Sequence, residues 1–220
     1  PHRSYTPPPA SLDDYRKMQG TLGLSRGVIV QPSVYGYDNR VALEALRQGG
    51  DNYRGVVVIS DQTSEQELRD MDALGARGVR VNLIYKSGVE VSDVTNLARK
   101  VAPLGWHLQL LIDISEFADL YDTVANLPVE VVIDHMGHMP ASIGVKHPGF
   151  RDLLRLTRDG KAWVKLSGAY RFTNQPDTPY SDVTPYAKAL IKANPDQILW
   201  ASDWPHVCIS VPMPDDTTLL

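Results

Sequence analysis

GVVVISDQTSEQELRDMDALGARGVRVNL, residues 55–83, contains the unit from which the whole chain is built. Its first segment, Gly55–Ile59, is a β-branched run without polar alternation, as a strand buried on both faces of a parallel sheet requires. A polar loop follows, and Ser64 then caps a helix predicted over Glu65–Leu74, because a small side-chain oxygen satisfies the free N–H groups of a first turn. Gly78–Leu83 returns to a valine-rich strand. Strand, loop, helix and parallel strand make a βαβ unit.

The same pattern recurs in both directions. Strands are predicted at Gly27–Val30, His107–Ile112, Val129–Ile133, Ala162–Leu166 and Gln197–Ala201. Helices are predicted at Leu12–Met18, Asn39–Arg47, Asp93–Val101, Glu116–Leu127, Phe150–Thr157 and Val183–Ala193, with Ser11, Asp38, Ser92 and Ser115 at starts. Strict alternation means a parallel sheet, either closed into a barrel or open and doubly wound. No Gly-x-Gly-x-x-Gly turn follows a strand, which removes the main support for a dinucleotide-binding sheet. A (β/α)8 TIM barrel needs eight strand–helix units and typically about 250 residues. Seven strands are counted, the last without a following helix, so the expectation is one domain over 1–220 that lacks the first strand and last helix. The first residue is Pro1, not Met, which fits a fragment of a longer chain.

Composition narrows the class. The 220 residues are 43% hydrophobic with a net charge of -4, enough apolar content for one sizeable core. A mild acidic excess argues against a nucleic-acid footprint, and no apolar run is long enough for a membrane helix. Cys208 is the single cysteine, so no internal disulfide can form, and a cytoplasmic setting is expected.

In a barrel, polar residues just past the strand ends converge on one cavity. They are Gln31, Ser33, Asp61, Arg80, Asn82, Lys86, Asp113, Asp134, His135, His138, Ser167, Tyr170, Arg171, Ser202, Asp203 and His206. Asp203 stands in Trp200-Ala201-Ser202-Asp203-Trp204-Pro205-His206, where bulky neighbours would desolvate it, which suits a general base. A loop aspartate that caps N–H groups is the competing reading. His135 follows Val131-Val132-Ile133-Asp134, and a neutral imidazole there could polarise a carbonyl, bind a metal or hold a substrate oxygen. A core histidine bonded to backbone is the alternative. Arg80, Lys86 and Arg171 together suggest an anionic substrate, with ion pairing inside the fold as the alternative for each. The His-x-His pair that mononuclear metallohydrolase barrels carry on their first strand is missing from these residues, and no Gly-x-Ser-x-Gly elbow offers a nucleophile. Ser167-Gly168 reads as a turn that gives a ligand room.

Three segments, Val132–His138, Val164–Arg171 and Trp200–His206, together resemble the amidohydrolase-related TIM-barrel hydrolases, particularly the 2-pyrone-4,6-dicarboxylate lactonases. Arg3-Ser4-Tyr5-Thr6-Pro7 and Arg80-Val81-Asn82-Leu83 match that group as well, and the resemblance spans nearly the whole chain in order. It implies hydrolysis of a cyclic ester without a cofactor. By the same resemblance Asp203 activates water and His135 meets the carbonyl oxygen, while Arg80, Lys86 and Arg171 hold substrate carboxylates. Tyr5 and Ser33 would add hydrogen bonds. The sequence departs from the pattern at Lys86, which replaces an arginine fork with a point charge, and at Leu111, which replaces a substrate-contacting tyrosine. The alternatives are a sugar-acid lactonase or isomerase, and a metal-dependent decarboxylase that would require one divalent metal such as zinc. The expected partner is a small-molecule anionic lactone, with no nucleic acid and no membrane; homo-oligomerisation stays open.

Overall fold

The computed structural model describes residues 5–84, 91–117, 119–209 and 211–218, with the side chains of residues 91 and 92 set aside. The chain forms two compact units, residues 1–109 and 110–220. Among the described residues seven strands alternate with helices in chain order. No helix among them is long and apolar enough to cross a membrane.

The first unit holds α1 (Leu12–Thr21), β1 (Gly27–Val30), α2 (Arg40–Gly49), β2 (Tyr53–Val57), α3 (Glu65–Ala73), β3 (Ala76–Asn82) and α4 (Val91–Val101). Strands β1 and β2 pair in parallel with Gly27 opposite Tyr53, and β2 pairs β3 in parallel with a register shift at Gly55/Val56. The predicted caps Ser11 and Ser64 each accept from the third helical N–H, while Asp14 and Glu67 reach back to the cap N–H. Burial on both faces holds for most of β2 and β3 but not for β1, where Val28 is 53% exposed. Among the described residues β1 pairs β2 alone, so an outer strand with one uncovered side accounts for the difference. Asn39 does not cap α2. Its amide bonds both the N–H and the carbonyl of Val58, tying the loop after β1 to the end of β2. The predicted cap Ser92 falls among side chains outside the described set.

Strand β4 (His107–Leu111) spans the boundary between the units. The second unit adds α5 (Leu120–Ala125), β5 (Val131–Ile133), α6 (Pro148–Arg158), β6 (Trp163–Leu166), α7 (Thr184–Ala193) and β7 (Ile198–Trp200). Strands β5, β6 and β7 are parallel neighbours, with Val132 opposite Trp163 and Val164 opposite Ile198. Phe150, Leu153, Val164 and Leu190 are fully buried, and the Phe150 and Tyr186 rings meet edge to face at 4.9 Å. Helix α5 starts later than the periodicity of 116–127 predicts. Ser115 donates both its N–H and its hydroxyl to Asp113 Oδ1, and this local turn competes with helix formation.

The start of α6 sits hard against the backbone after β4. A methyl group added at Gly149 would overlap the Ile114 carbonyl, which has no rotamer by which to move aside. Gly149→Ala is therefore expected to destabilise the protein by about 2 kcal/mol or more, read as a lower urea midpoint with an unchanged denaturant slope.

Candidate active site

Three loops at the C-terminal ends of neighbouring strands carry the polar cluster of the second unit. Residues 134–138 follow β5, 167–171 follow β6, and 201–206 follow β7. Their backbones are strained. Eight non-glycine residues among those described have positive φ, and five of them lie here: His135, Met136, His138, Asp203 and His206, with Cys208 two residues beyond. Left-handed backbone costs an L-residue roughly 1–2 kcal/mol, so such conformations persist only where packing and hydrogen bonds impose them, and they concentrate at functional sites.

Asp203 is the hub. Its Oδ2 accepts from Arg171 Nε at 2.5 Å and from the Tyr170 hydroxyl at 2.6 Å. Its Oδ1 lies 3.7 Å from His135 Nε2, beyond direct hydrogen-bond reach, so the two groups face the same small space. Arg171 also donates through Nη2 to the Val207 carbonyl and so clamps the loop after β7. Burial alone would raise the Asp203 carboxyl; the His135 and Arg171 charges and the bonds from Arg171 and Tyr170 outweigh it and hold the carboxyl below its ordinary range. Burial, followed by repulsion from Asp203, drives the Tyr170 phenol far upward, so Tyr170 stays a donor.

His135 is 6% exposed, and burial pushes its ring down to about 4 against the pull of Asp203 and Asp134. The ring is therefore neutral near pH 7, and the ionised state of Asp203 then rests on Arg171 and Tyr170. His135 Nδ1 lies 2.9 Å from Ser167 Oγ. If the Ser167 hydroxyl donates there, the ring proton is on Nε2, on the side of the ring that faces Asp203 Oδ1. Gly168 (φ 62°) makes this fit, since a Cβ would stand 2.8 Å from His135 Nδ1. The room that this glycine provides is filled by the histidine ring.

The depressed ring has a consequence for stability. Between pH 6.5 and about 4 an unfolded His135 binds a proton that the folded one does not. Its contribution is complete above pH 6.5 and is lost as pH falls toward 4. The half-buried His138, also lowered by desolvation, acts with the same sign. The Tm is expected to fall by several degrees from pH 7 to pH 4.5, with a shallower slope in His135→Gln; scanning calorimetry across that range checks both.

The other predicted residues divide clearly. In the first unit, the Asn82 side chain donates to Ser33 Oγ, and Arg80 donates to the Gln31 carbonyl at 3.1 Å. Tyr5 lies half-buried ahead of α1. Lys86 lies outside the described residues. Gln31 bonds the carbonyls of Gly36 and Asp38, a loop-fastening role. The buried Asp134 pairs with the half-buried Lys165 at 3.0 Å. Ser167, Tyr170 and His206 were legible as strand-end residues without roles, and the structure gives them close partners. Asp216, 3.0 Å from His206 Nε2, carried no sequence signal, because it lies ten residues away in a proline-bearing tail. Among the described residues no three His, Cys, Asp or Glu side chains gather to hold a metal ion.

Comparison with known proteins extends this picture. The amidohydrolase family model matches residues 1–208. The 2-pyrone-4,6-dicarboxylate hydrolase of Comamonas testosteroni is 33% identical, over all of this chain and 75% of that protein. The 4-sulfomuconolactone hydrolase of Rhizobium radiobacter is 35% identical, over 99% of this chain and 74% of its own. An apo crystal structure from Agrobacterium tumefaciens superposes with a TM-score of 0.90 at 27% identity, covering all of this chain and 79% of that one. The fold is that of a (β/α)8 barrel, of which the described residues carry seven strands. Alternating parallel units, a carboxylate at the end of the last strand and a match over nearly the full length agree: the chain belongs to the amidohydrolase family.

Proposed function

We propose that this protein is a hydrolase that opens a small carboxylate-bearing lactone, with water activated by Asp203. The observation that carries the reading is the pair formed by Asp203 Oδ1 and His135 Nε2. They are 3.7 Å apart, with the far atom of each group already held. Asp203 keeps one oxygen for proton uptake from water, and His135, neutral and protonated on Nε2, donates to the lactone carbonyl oxygen as charge grows on it. Ring opening releases an oxygen leaving group, and the proton on Asp203 is available to it. The names of the two relatives described above, both lactone hydrolases, support this reaction class.

Arg80, Lys86 and Arg171 are proposed to hold substrate carboxylates, with Tyr5 and Ser33 supplying hydrogen bonds; this part rests on the family resemblance. Arg171 would serve two purposes, since its Nε is engaged by Asp203. No step in this scheme passes through a metal. A screen of aromatic-catabolism pyrones and sugar-acid lactones, run with and without chelator, tests the proposal. Chelator-insensitive opening of a carboxylated lactone is the expected result. Activity confined to decarboxylation or lactone isomerisation would overturn it.

A further inference from the structure

Behind Asp203 a chain of hydrogen-bonding groups leads away from the reacting side. The Tyr170 hydroxyl oxygen lies 2.6 Å from Asp203 Oδ2 and 2.8 Å from His206 Nδ1. His206 Nε2 in turn lies 3.0 Å from Asp216 Oδ1. His206 is 3% exposed, and the Asp216 side chain is 18% exposed. Neither has a role in the reaction as proposed.

Counting protons shows what this chain can do. The phenol has one proton and two neighbours. It donates to Asp203 only if its oxygen accepts from His206, which requires a proton on His206 Nδ1. Asp216 allows that in two ways. As a neutral acid it donates to Nε2 and leaves the ring proton on Nδ1. As a carboxylate beside an imidazolium it accepts from Nε2 while Nδ1 also donates. The third arrangement, a neutral ring protonated on Nε2, turns the Nδ1 lone pair toward the phenol and draws its proton away. Asp203 Oδ2 would then face a phenol lone pair at 2.6 Å, which an ionised carboxylate does not tolerate. Burial raises the Asp216 carboxyl against the opposing influence of His206, which helps to retain the extra proton in this pair.

We propose that His206 and Asp216 are positioning residues that fix a proton on His206 Nδ1 and commit the Tyr170 hydroxyl to Asp203 Oδ2. Asp203 Oδ1 is thereby left as the oxygen available to the reacting water. The inference rests on Asp203 being the base. It assigns function to a loop aspartate near the C-terminal end that makes no contact with the reacting atoms.

A double-mutant cycle with Tyr170→Phe tests it. Asp216→Ala should lower kcat about tenfold, the effect of one hydrogen bond in the transition state, with KM changed less than twofold. In the Tyr170→Phe background the same substitution should do almost nothing, because the hydroxyl through which it acts is gone. An unchanged kcat in Asp216→Ala, or effects that multiply in the double variant, would overturn the proposal. Should Asp216→Ala fail to fold, ¹⁵N NMR of the unsubstituted protein, assigned with His206→Gln, decides. A protonated Nδ1 is expected, and a bare Nδ1 sinks the idea. Asp203→Asn separates the two readings. Near-normal turnover in that variant removes the base itself, whereas loss of turnover there with wild-type kcat in Asp216→Ala removes only the positioning.

Discussion

Asp203→Asn is expected to reduce lactone turnover between about a hundredfold and ten-thousandfold, while substrate binding measured by calorimetry stays within a few-fold of the unsubstituted protein. The surrounding donors determine which way the amide turns. Arg171 Nε and the Tyr170 hydroxyl both donate to Oδ2, so the amide oxygen must take that place. The amide nitrogen then occupies the Oδ1 position opposite His135, where a group able to accept a proton is required. The substitution preserves shape and removes basicity at one atom. It also deprives the buried Arg171 of its counter-charge, so a lower Tm should accompany the loss of rate. Near-normal kcat in a folded Asp203→Asn protein would sink the water-activation mechanism.

The low proton affinity of Asp203 bears on this prediction. A general base works best with a pKa near the working pH, yet against burial the His135 charge, then Arg171 and Tyr170, hold this carboxylate below its ordinary range. The arrangement gives up intrinsic basicity for a carboxylate that stays ionised in a desolvated place, one oxygen fixed and the other directed. In the proposed scheme the remaining barrier is lowered on the electrophile side by hydrogen bonding to the developing oxyanion. That scheme gives the task to His135, whose importance would follow from the weakness of the base.

The sequence displayed the fold well because strand burial and helix capping are local properties. Gly27–Val30 matches β1 at both ends, and Ser11 and Ser64 cap as expected. The exposure of Val28 and the late start of α5 depend on what packs against β1 and on a side-chain turn at Asp113, and neither has a periodic signature. The site was legible in part for the same reason. Asp203, His135 and Arg171 stand just past strand ends, and a parallel α/β fold makes that position meaningful. Their mutual arrangement was not legible. Arg171 read as a substrate-binding cation, and the structure shows it bonded to the carboxylate thought to be the base. The left-handed backbone at His135, Met136 and His138 is set by tertiary packing, since none of the three prefers it. Asp216 reaches His206 across a tail whose course the sequence pattern does not encode.

The second large effect is expected at His135. His135→Ala should lower kcat about a hundredfold to a thousandfold, the usual loss when one oxyanion donor is removed, with a smaller change in KM. The argument starts from the ring's tautomer. With the Ser167 hydroxyl donating to Nδ1 across 2.9 Å, the ring proton is on Nε2, available to an oxygen bound beside Asp203 Oδ1. A neutral donor is appropriate here. An imidazolium would bind the ground-state carboxylates of the substrate and neutralise Asp203, whereas a neutral N–H strengthens its bond as the carbonyl oxygen gains charge. Burial keeps the ring neutral at pH 7 by lowering it to about 4, so kcat/KM should stay flat from pH 8 down to about 5 and decline below that. His135→Gln can place an amide N–H near the same point and should recover part of the rate lost in His135→Ala. Ser167→Ala leaves the ring in place but frees its tautomer, so it should cost about tenfold, the worth of one hydrogen bond. Equal rates for His135→Ala and the unsubstituted protein, with the Asp203→Asn defect intact, would remove His135 from the chemistry and leave the oxyanion to another donor.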